Sequence, residues 1–207
     1  MKNVHRLDRS NFSQIYMDYF DAEGRFVRHI ARGGRILDVG CGICSIVPYI
    51  YDSCASYTGI DIDAKAIREV EESVKPKYPG IETVLTDAKI LRYFKEGSFD
   101  TTLCLWNTLT TIGNEHELIR NIYRITKGRT VVTVSLRDDR CFRERLEYYQ
   151  KAKINHTANP QTQAITSKMW GTTKAFTEEE LEALVRKSGV EPGEIGKIGY
   201  MAVYAIF

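Results

Sequence analysis

The chain has 207 residues, 43% hydrophobic and 27% charged, with a formal net charge of +2. That length suits one well-buried core and is short for two ordinary domains, so a single domain over 1–207 is expected, and the balanced charge excludes a disordered chain and a strongly polyanion-seeking surface. No apolar run approaches the roughly 18 residues of a bilayer span, and the opening "MKNVHRLDRS" lacks the apolar stretch of a signal peptide, so no membrane partner and a cytoplasmic location are expected.

In chain order, Phe12, Ile15, Tyr16, Tyr19, Phe20, Phe26, Val27 and Ile30 follow three-and-four spacing. This predicts an amphipathic helical leader, broken near Gly24 and ended by Gly33-Gly34, so that 1–33 precede the main fold. Strand-like runs then alternate with helical ones: "RILDV", a helix from Ser45, "SYTGI", a helix from Asp63, "ETVLT", a turn-rich segment, "TTLCL", a helix near Glu115 and "TVVTVS". Such alternation predicts an α/β fold with a parallel sheet and helices on both faces. Asp63 is placed to cap its helix, with Ala66, Ile67, Val70 and Val74 as the buried stripe. Pro48 falls in a first helical turn, where its missing N–H costs no bond. Residues 136–174 interrupt the alternation and read as a lid-like insertion carrying Tyr148, Tyr149, Met169 and Trp170. Thr177, with Glu180 three residues on, opens a last helix that Gly189 stops, and "GEIGKIGYMAVYAIF" splits around Gly199-Tyr200 into an antiparallel hairpin.

The stretch "RILDVGCGIC" holds the chemistry. Gly40 and Gly42 make a turn between a strand and a helix start, where backbone N–H groups can approach a ligand closely. The dinucleotide pattern G-x-G-x-x-G ends here on Ser45, which matches it poorly. Asp38, before the first glycine, repels a pyrophosphate and favours a ligand with an ammonium group. Asp61 lies roughly 20 residues beyond the loop, where a carboxylate accepts two vicinal hydroxyls. The Cys41-x-x-Cys44 pair is followed by no second Cys or His pair at metal spacing, so no metal is expected, and the odd number of cysteines argues for reduced thiols. A redox role would need a thiol of lowered pKa at the helix start.

"ILDVGCGIC" resembles motif I, D-x-G-x-G-x-G, of the class I S-adenosylmethionine-dependent methyltransferases, with Cys44 in place of the third glycine. "YTGIDID", "VLTDAKIL" and "FDTTLCLWN" continue the resemblance in order. It implies a Rossmann-like, parallel seven-stranded sheet with the last strand antiparallel, and S-adenosylmethionine as cofactor. On the same resemblance Asp38, Gly40, Cys41 and Gly42 carry the methionine end, Asp61 takes the ribose hydroxyls and Ile62 packs on the adenine. Asp87 and the Ala88 backbone read the adenine edge, and Leu105 and Tyr16 complete the cofactor contacts. The Pro-Gly-Gly turn common before the fifth strand is replaced by "ITKGRT".

The acceptor is expected to be a small molecule. "LWNT" does not match the Asn-Pro-Pro-Tyr type of motif, and "FDTTLCLWNTLTTIGN" resembles small-molecule N-methyltransferases loosely. Trp106 and Asn107 follow the fourth strand, where the sheet's carboxyl edge faces the ligand crevice, so both are candidates for the acceptor site and Asn107 for catalysis. The alternative is that Trp106 packs against the insertion and Asn107 makes a turn. Tyr148 and Trp170 are the insertion's candidates for the acceptor. The charges from Arg137 to Lys153 alternate in sign and suit a solvated face better than an RNA patch, so nucleic acid is not an expected partner. An RNA or protein methyltransferase, a nicotinamide-dependent oxidoreductase and a non-catalytic binding protein stand as the rival functions.

Overall fold

The computed structural model describes residues 9–207, so "MKNVHRLD" lies outside the described residues. The leader is one helix, α1 (Gln14–Ile30), capped by Ser13, whose hydroxyl accepts from the Tyr16 N–H. It does not break at Gly24. The Tyr49 ring occupies the space where a Cβ of residue 24 would stand, so this glycine serves close packing inside an unbroken helix.

The sheet opens with β1 (Arg35–Val39). The expected helix from Ser45 shrinks to α2 (Val47–Ile50), with Pro48 in its first turn. Gly40, Gly42 and Cys44 all take positive φ, so the chain cannot enter helical geometry until it has passed Cys44. There follow β2 (Ser56–Asp61), α3 (Ala64–Glu69) running into a π turn (Val70–Val74), β3 (Glu82–Leu85), a 3-10 turn (Ala88–Tyr93) and β4 (Phe99–Cys104). Asp63 caps α3 as its sequence position predicts. Next come α4 (Thr108–Ile112), α5 (Glu115–Ile125) and β5 (Thr126–Leu136). The fifth strand starts earlier than "TVVTVS", because "TKGR" already pairs with β4.

Residues 137–174 leave and rejoin the sheet at one place. They form α6 (Asp139–Lys151) and an antiparallel sheet of β6 (His156–Asn159), β7 (Ala164–Ser167) and β8 (Gly171–Thr173). Two further residues, β9 (Ala175–Phe176), pair with Ser135 and Leu136 of β5. The chain ends in α7 (Glu178–Lys187), whose Thr177 and Glu180 form the expected capping box, and in the antiparallel pair β10 (Glu194–Ile198) and β11 (Ala202–Ile206).

The main sheet runs β10-β11-β5-β4-β1-β2-β3, with β9 beside β5. The pairs among β1 to β5 are parallel, and β11 inserts antiparallel to both its neighbours. This is the Rossmann-like sheet expected, with one short strand added. Side-chain alternation along β1 divides its environment. Leu37 and Val39 join the core built on α5 and α7 (Leu118, Ile122, Leu181, Val185), while Ile36 faces the core built on α1 and α2 (Val27, Val47, Ile50). Asp38 shares the parity of Ile36 and is buried on the α1 side. A third cluster, rich in aromatic rings, joins α1 to α6 and the small sheet.

Candidate cofactor and acceptor site

Two adjoining cavities lie at the carboxyl ends of β1, β2 and β4, the place where open α/β sheets bind ligands. The larger is about 660 Å³ and the smaller about 70 Å³; Gly40, Gly42, Ile43, Trp106 and Thr108 line both. The first falls within the roughly 300–1,000 Å³ of ordinary small-molecule pockets.

The glycine turn is built from backbone geometry that the sequence anticipates in part. Gly40 has φ +71°, and the Thr108 side chain fills the space a Cβ would need, so both conformation and packing demand glycine. Gly42 has φ +51° with nothing within 4 Å of its Cβ position, which leaves its face open to a ligand. Cys44, in the third glycine's place, adopts the same left-handed conformation, φ +56°. Asp61 ties the turn to β2: Oδ2 accepts the Gly42 N–H at 2.7 Å and Oδ1 accepts the Asp63 N–H at 2.8 Å. Asp61, Ile62, Asp87 and Ala88 line the large cavity beside this turn. Ile62 is 71% exposed, an apolar face left uncovered at the cavity rim. Asp87 caps the 3-10 turn by accepting the Lys89 N–H at 2.9 Å.

Asp38, Cys41 and Leu105 line the small cavity together with Glu23 of α1. Asp38 accepts the Tyr57 hydroxyl at 2.7 Å. Burial pushes its carboxyl up to about 7, the Tyr57 bond opposes this, and the charges of Asp61 and Glu23 add to it. Glu23 is also buried and raised by desolvation, against hydrogen bonds from Thr133 and Tyr19, both at 2.6 Å. Two buried acids beside a glycine turn make a site that a cation would neutralise. The Cys41 thiol is pushed well up by its hydrogen bond with Cys44 and by burial, the opposite of an activated thiol at this position. Among the described residues no group of three or more His, Cys, Asp or Glu side chains gathers to hold a metal.

Trp106 and Asn107 both take positive φ, +47° and +65°, directly after β4. Thr133 of β5 holds them: its Oγ1 accepts the Trp106 N–H at 2.8 Å and its carbonyl the Asn107 N–H at 3.1 Å. The Asn107 carboxamide donates to Ser135 Oγ at 2.6 Å and accepts the Ser135 N–H at 2.9 Å. The amide is thus fixed to β5 at both ends while Asn107 stays in the lining of the large cavity.

At the far end of the large cavity stand Tyr16, Arg145, Tyr148, Tyr149, Met169 and Trp170. The Tyr148 ring stacks on Phe12 (4.6 Å, 10°) and on Trp170 (5.9 Å, 18°), and the Trp106 ring meets Phe12 and Phe20 edge-on at 5.6 and 5.1 Å. Trp106 thus packs on the leader helix and its approach, within the aromatic cluster that also takes in Tyr148 and Tyr149 of the insertion. Glu23 and Arg145 escaped the sequence reading. Glu23 was detectable as an acid on the apolar stripe of the leader, whereas Arg145 was hidden in a run of alternating charges that points to solvent.

The sequence profile of the family described as "Methyltransferase domain" matches residues 36–129. A ubiquinone biosynthesis O-methyltransferase of Albidiferax ferrireducens is 25% identical over 119 residues, which span 50% of this chain and 47% of that protein. The match thus covers about half the length of that curated relative. Among solved structures, the chain is similar in fold to a SAM-dependent methyltransferase from Aquifex aeolicus (TM-score 0.69, 13% identity, 100% of this chain and 98% of that one). It is also similar to the 1,6-didemethyltoxoflavin-N1-methyltransferase of Burkholderia thailandensis, solved with 1,6-didemethyltoxoflavin and S-adenosylhomocysteine (TM-score 0.65, 14% identity, 91% and 76%). The profile covers β1 through the start of β5, the part of the sheet that builds the glycine turn, so residues 36–129 are similar to a methyltransferase domain, and the likeness to the solved structures extends that fold to the rest of the chain.

Proposed function

We propose that the chain methylates a small-molecule acceptor in the large cavity, working in the cytoplasm. The observation that carries this reading is the continuity of one cavity from the glycine turn to an aromatic chamber closed by residues 137–174. The cofactor fit rests on the open face of Gly42, the uncovered Ile62 and two buried acids that form no ion pair among the described residues. Asp61 would hold the ribose hydroxyls, Ile62 the adenine face, Asp87 and Ala88 the adenine edge, and Asp38 with Glu23 the amine. Cys41 and Leu105 would wall the methionine end, with Tyr16 between cofactor and acceptor. When bound, S-adenosylmethionine supplies a methyl group activated by its sulfonium.

The protein's part is alignment and exclusion of water, effects that supply much of the rate of a displacement that makes no oxyanion. The Trp106-Asn107 turn, pinned by Thr133 and Ser135, fixes the boundary between the two ends of the cavity. Tyr148 and Trp170 wall the acceptor end with flat apolar surface. No helix among the described residues is long and apolar enough to cross a membrane.

Two measurements test the proposal. Asp61→Ala should weaken S-adenosylhomocysteine binding by roughly tenfold or more, because charge-assisted bonds are worth about 1.5–3 kcal/mol; unchanged affinity in a folded variant rejects the assignment. Labelled methyl transfer should reach members of a panel of small amines, phenols and acids and should not reach total tRNA. Methylated tRNA with no small molecule turned over would overturn the small-molecule reading.

A further inference from the structure

The acceptor end of the cavity holds a charge that the fold does not neutralise. Arg145 of α6 is only 3% exposed and lines the cavity. Its Nη1 donates to the Gln163 carbonyl at 2.8 Å, and its Nη2 donates to the Thr173 carbonyl and to Thr173 Oγ1, both at 2.9 Å. All of these acceptors are neutral. No Asp or Glu forms an ion pair with it among the described residues. A guanidinium keeps its proton and carries donors on all three nitrogens, so the Nε–H and the second hydrogen of Nη1 are left without a protein acceptor. Buried charges are ordinarily paired, because the interior solvates a lone ion poorly.

The surroundings state what would complete it. The Tyr16 hydroxyl lies within the influence of Arg145, and burial raises it well above its ordinary value, so it stays a neutral O–H donor at physiological pH. Tyr148 and Trp170, stacked on each other with Tyr149 edge-on to both, line the same end of the cavity with aromatic surface. Guanidinium and phenol donors beside flat rings suit the oxygens of a planar acid and disfavour a cationic amine. We infer that Arg145 binds an anionic group of the acceptor, and that the acceptor is a planar organic acid of the aromatic-carboxylate class. The word acceptor rests on the methyltransferase reading; the anion site rests on Arg145 alone.

The test uses benzoate and its neutral counterpart benzamide as probes, read by quenching of Trp106 and Trp170, the chain's two tryptophans, both of which line the cavity. Each titration is run with and without S-adenosylhomocysteine. Benzoate should bind roughly tenfold or more tightly than benzamide, as expected for a charge-assisted bond. Arg145→Gln should erase that preference, while Arg145→Lys should keep it at lower affinity, because a point charge replaces the planar fork. Affinity for S-adenosylhomocysteine, measured by calorimetry, should be unchanged in both. Equal binding of benzoate and benzamide by the parent protein overturns the inference. So does an Arg145→Gln protein that loses thermal stability yet keeps the preference, since that is the signature of a purely structural arginine. If Arg145→Gln does not fold, the parent comparison and Arg145→Lys decide. Failure of S-adenosylhomocysteine to bind at all would reject the cofactor reading, and the benzoate result would still decide for or against Arg145.

Discussion

Cofactor affinity should depend on pH through Asp38. Its carboxyl stands near 7, raised by burial and by the charges of Asp61 and Glu23 against the Tyr57 hydrogen bond. A cationic amine pairs with the ionised form, whereas the protonated form offers little. At about pH 6 roughly one molecule in ten carries the ionised group, so affinity should be about tenfold weaker than near pH 8, where an α-amino group of pKa about 7.7–8.0 begins to lose its own charge. Calorimetric titration with S-adenosylhomocysteine across this range measures the effect. No histidine lines either cavity, so the other acid facing Asp38 in this window is Glu23. Asp38→Asn should bind weakly and without the pH slope, while Glu23→Gln should keep the slope with its midpoint moved down, because one repelling charge is gone. The same group sets a stability slope without ligand. Its folded value of about 7 lies above the ordinary 3.8, so the folded chain holds a proton that the unfolded chain releases between these values. That contribution is fully present below about pH 4 and is lost as pH rises through about 7, by on the order of 4 kcal/mol. Asp38→Asn should therefore gain stability over the parent as pH rises across this window in urea unfolding. Affinity that stays flat between about pH 5.5 and 7.5, or a slope that survives in Asp38→Asn, would refute the assignment of the amine site to Asp38.

Cys44→Gly should keep fold and cofactor affinity. It relieves a left-handed non-glycine residue worth about 1–2 kcal/mol and gives up a buried thiol of similar value, so thermal unfolding should move little. Trp170→Ala should lower kcat/KM for the acceptor while leaving S-adenosylhomocysteine affinity in place, since its ring contacts are with Tyr148 and Tyr149 and none is with the glycine turn. A parallel loss of cofactor affinity in steady-state and calorimetric data would show instead that Trp170 supports the whole cavity.

The sheet was legible because its signals are local. Alternating runs set the strands, Asp63 and Thr177 with Glu180 set helix starts, and Gly40 and Gly42 set the turn. What escaped depends on distant partners. Gly24 reads as a breaker until the Tyr49 ring is known to lie against it. That Ser135, on another strand, holds both ends of the Asn107 amide is likewise invisible in the local sequence. Arg145 reads as one charge in a solvated run, because α6 alone does not reveal that the chain returns through Gln163 and Thr173 to bury it.

These long-range partners also explain why the leader helix belongs to the site. Glu23 of α1 accepts the Thr133 hydroxyl, and the same Thr133 oxygen accepts the N–H of Trp106. Because a hydroxyl both donates and accepts, one atom links a buried carboxylate to the first of two consecutive left-handed residues. Such a conformation costs about 1–3 kcal/mol and persists only where its surroundings overdetermine it. Here α1 supplies Glu23, and β5 supplies Thr133 and Ser135. The Trp106-Asn107 turn, between the two ends of the large cavity, is therefore set jointly by the leader and the fifth strand.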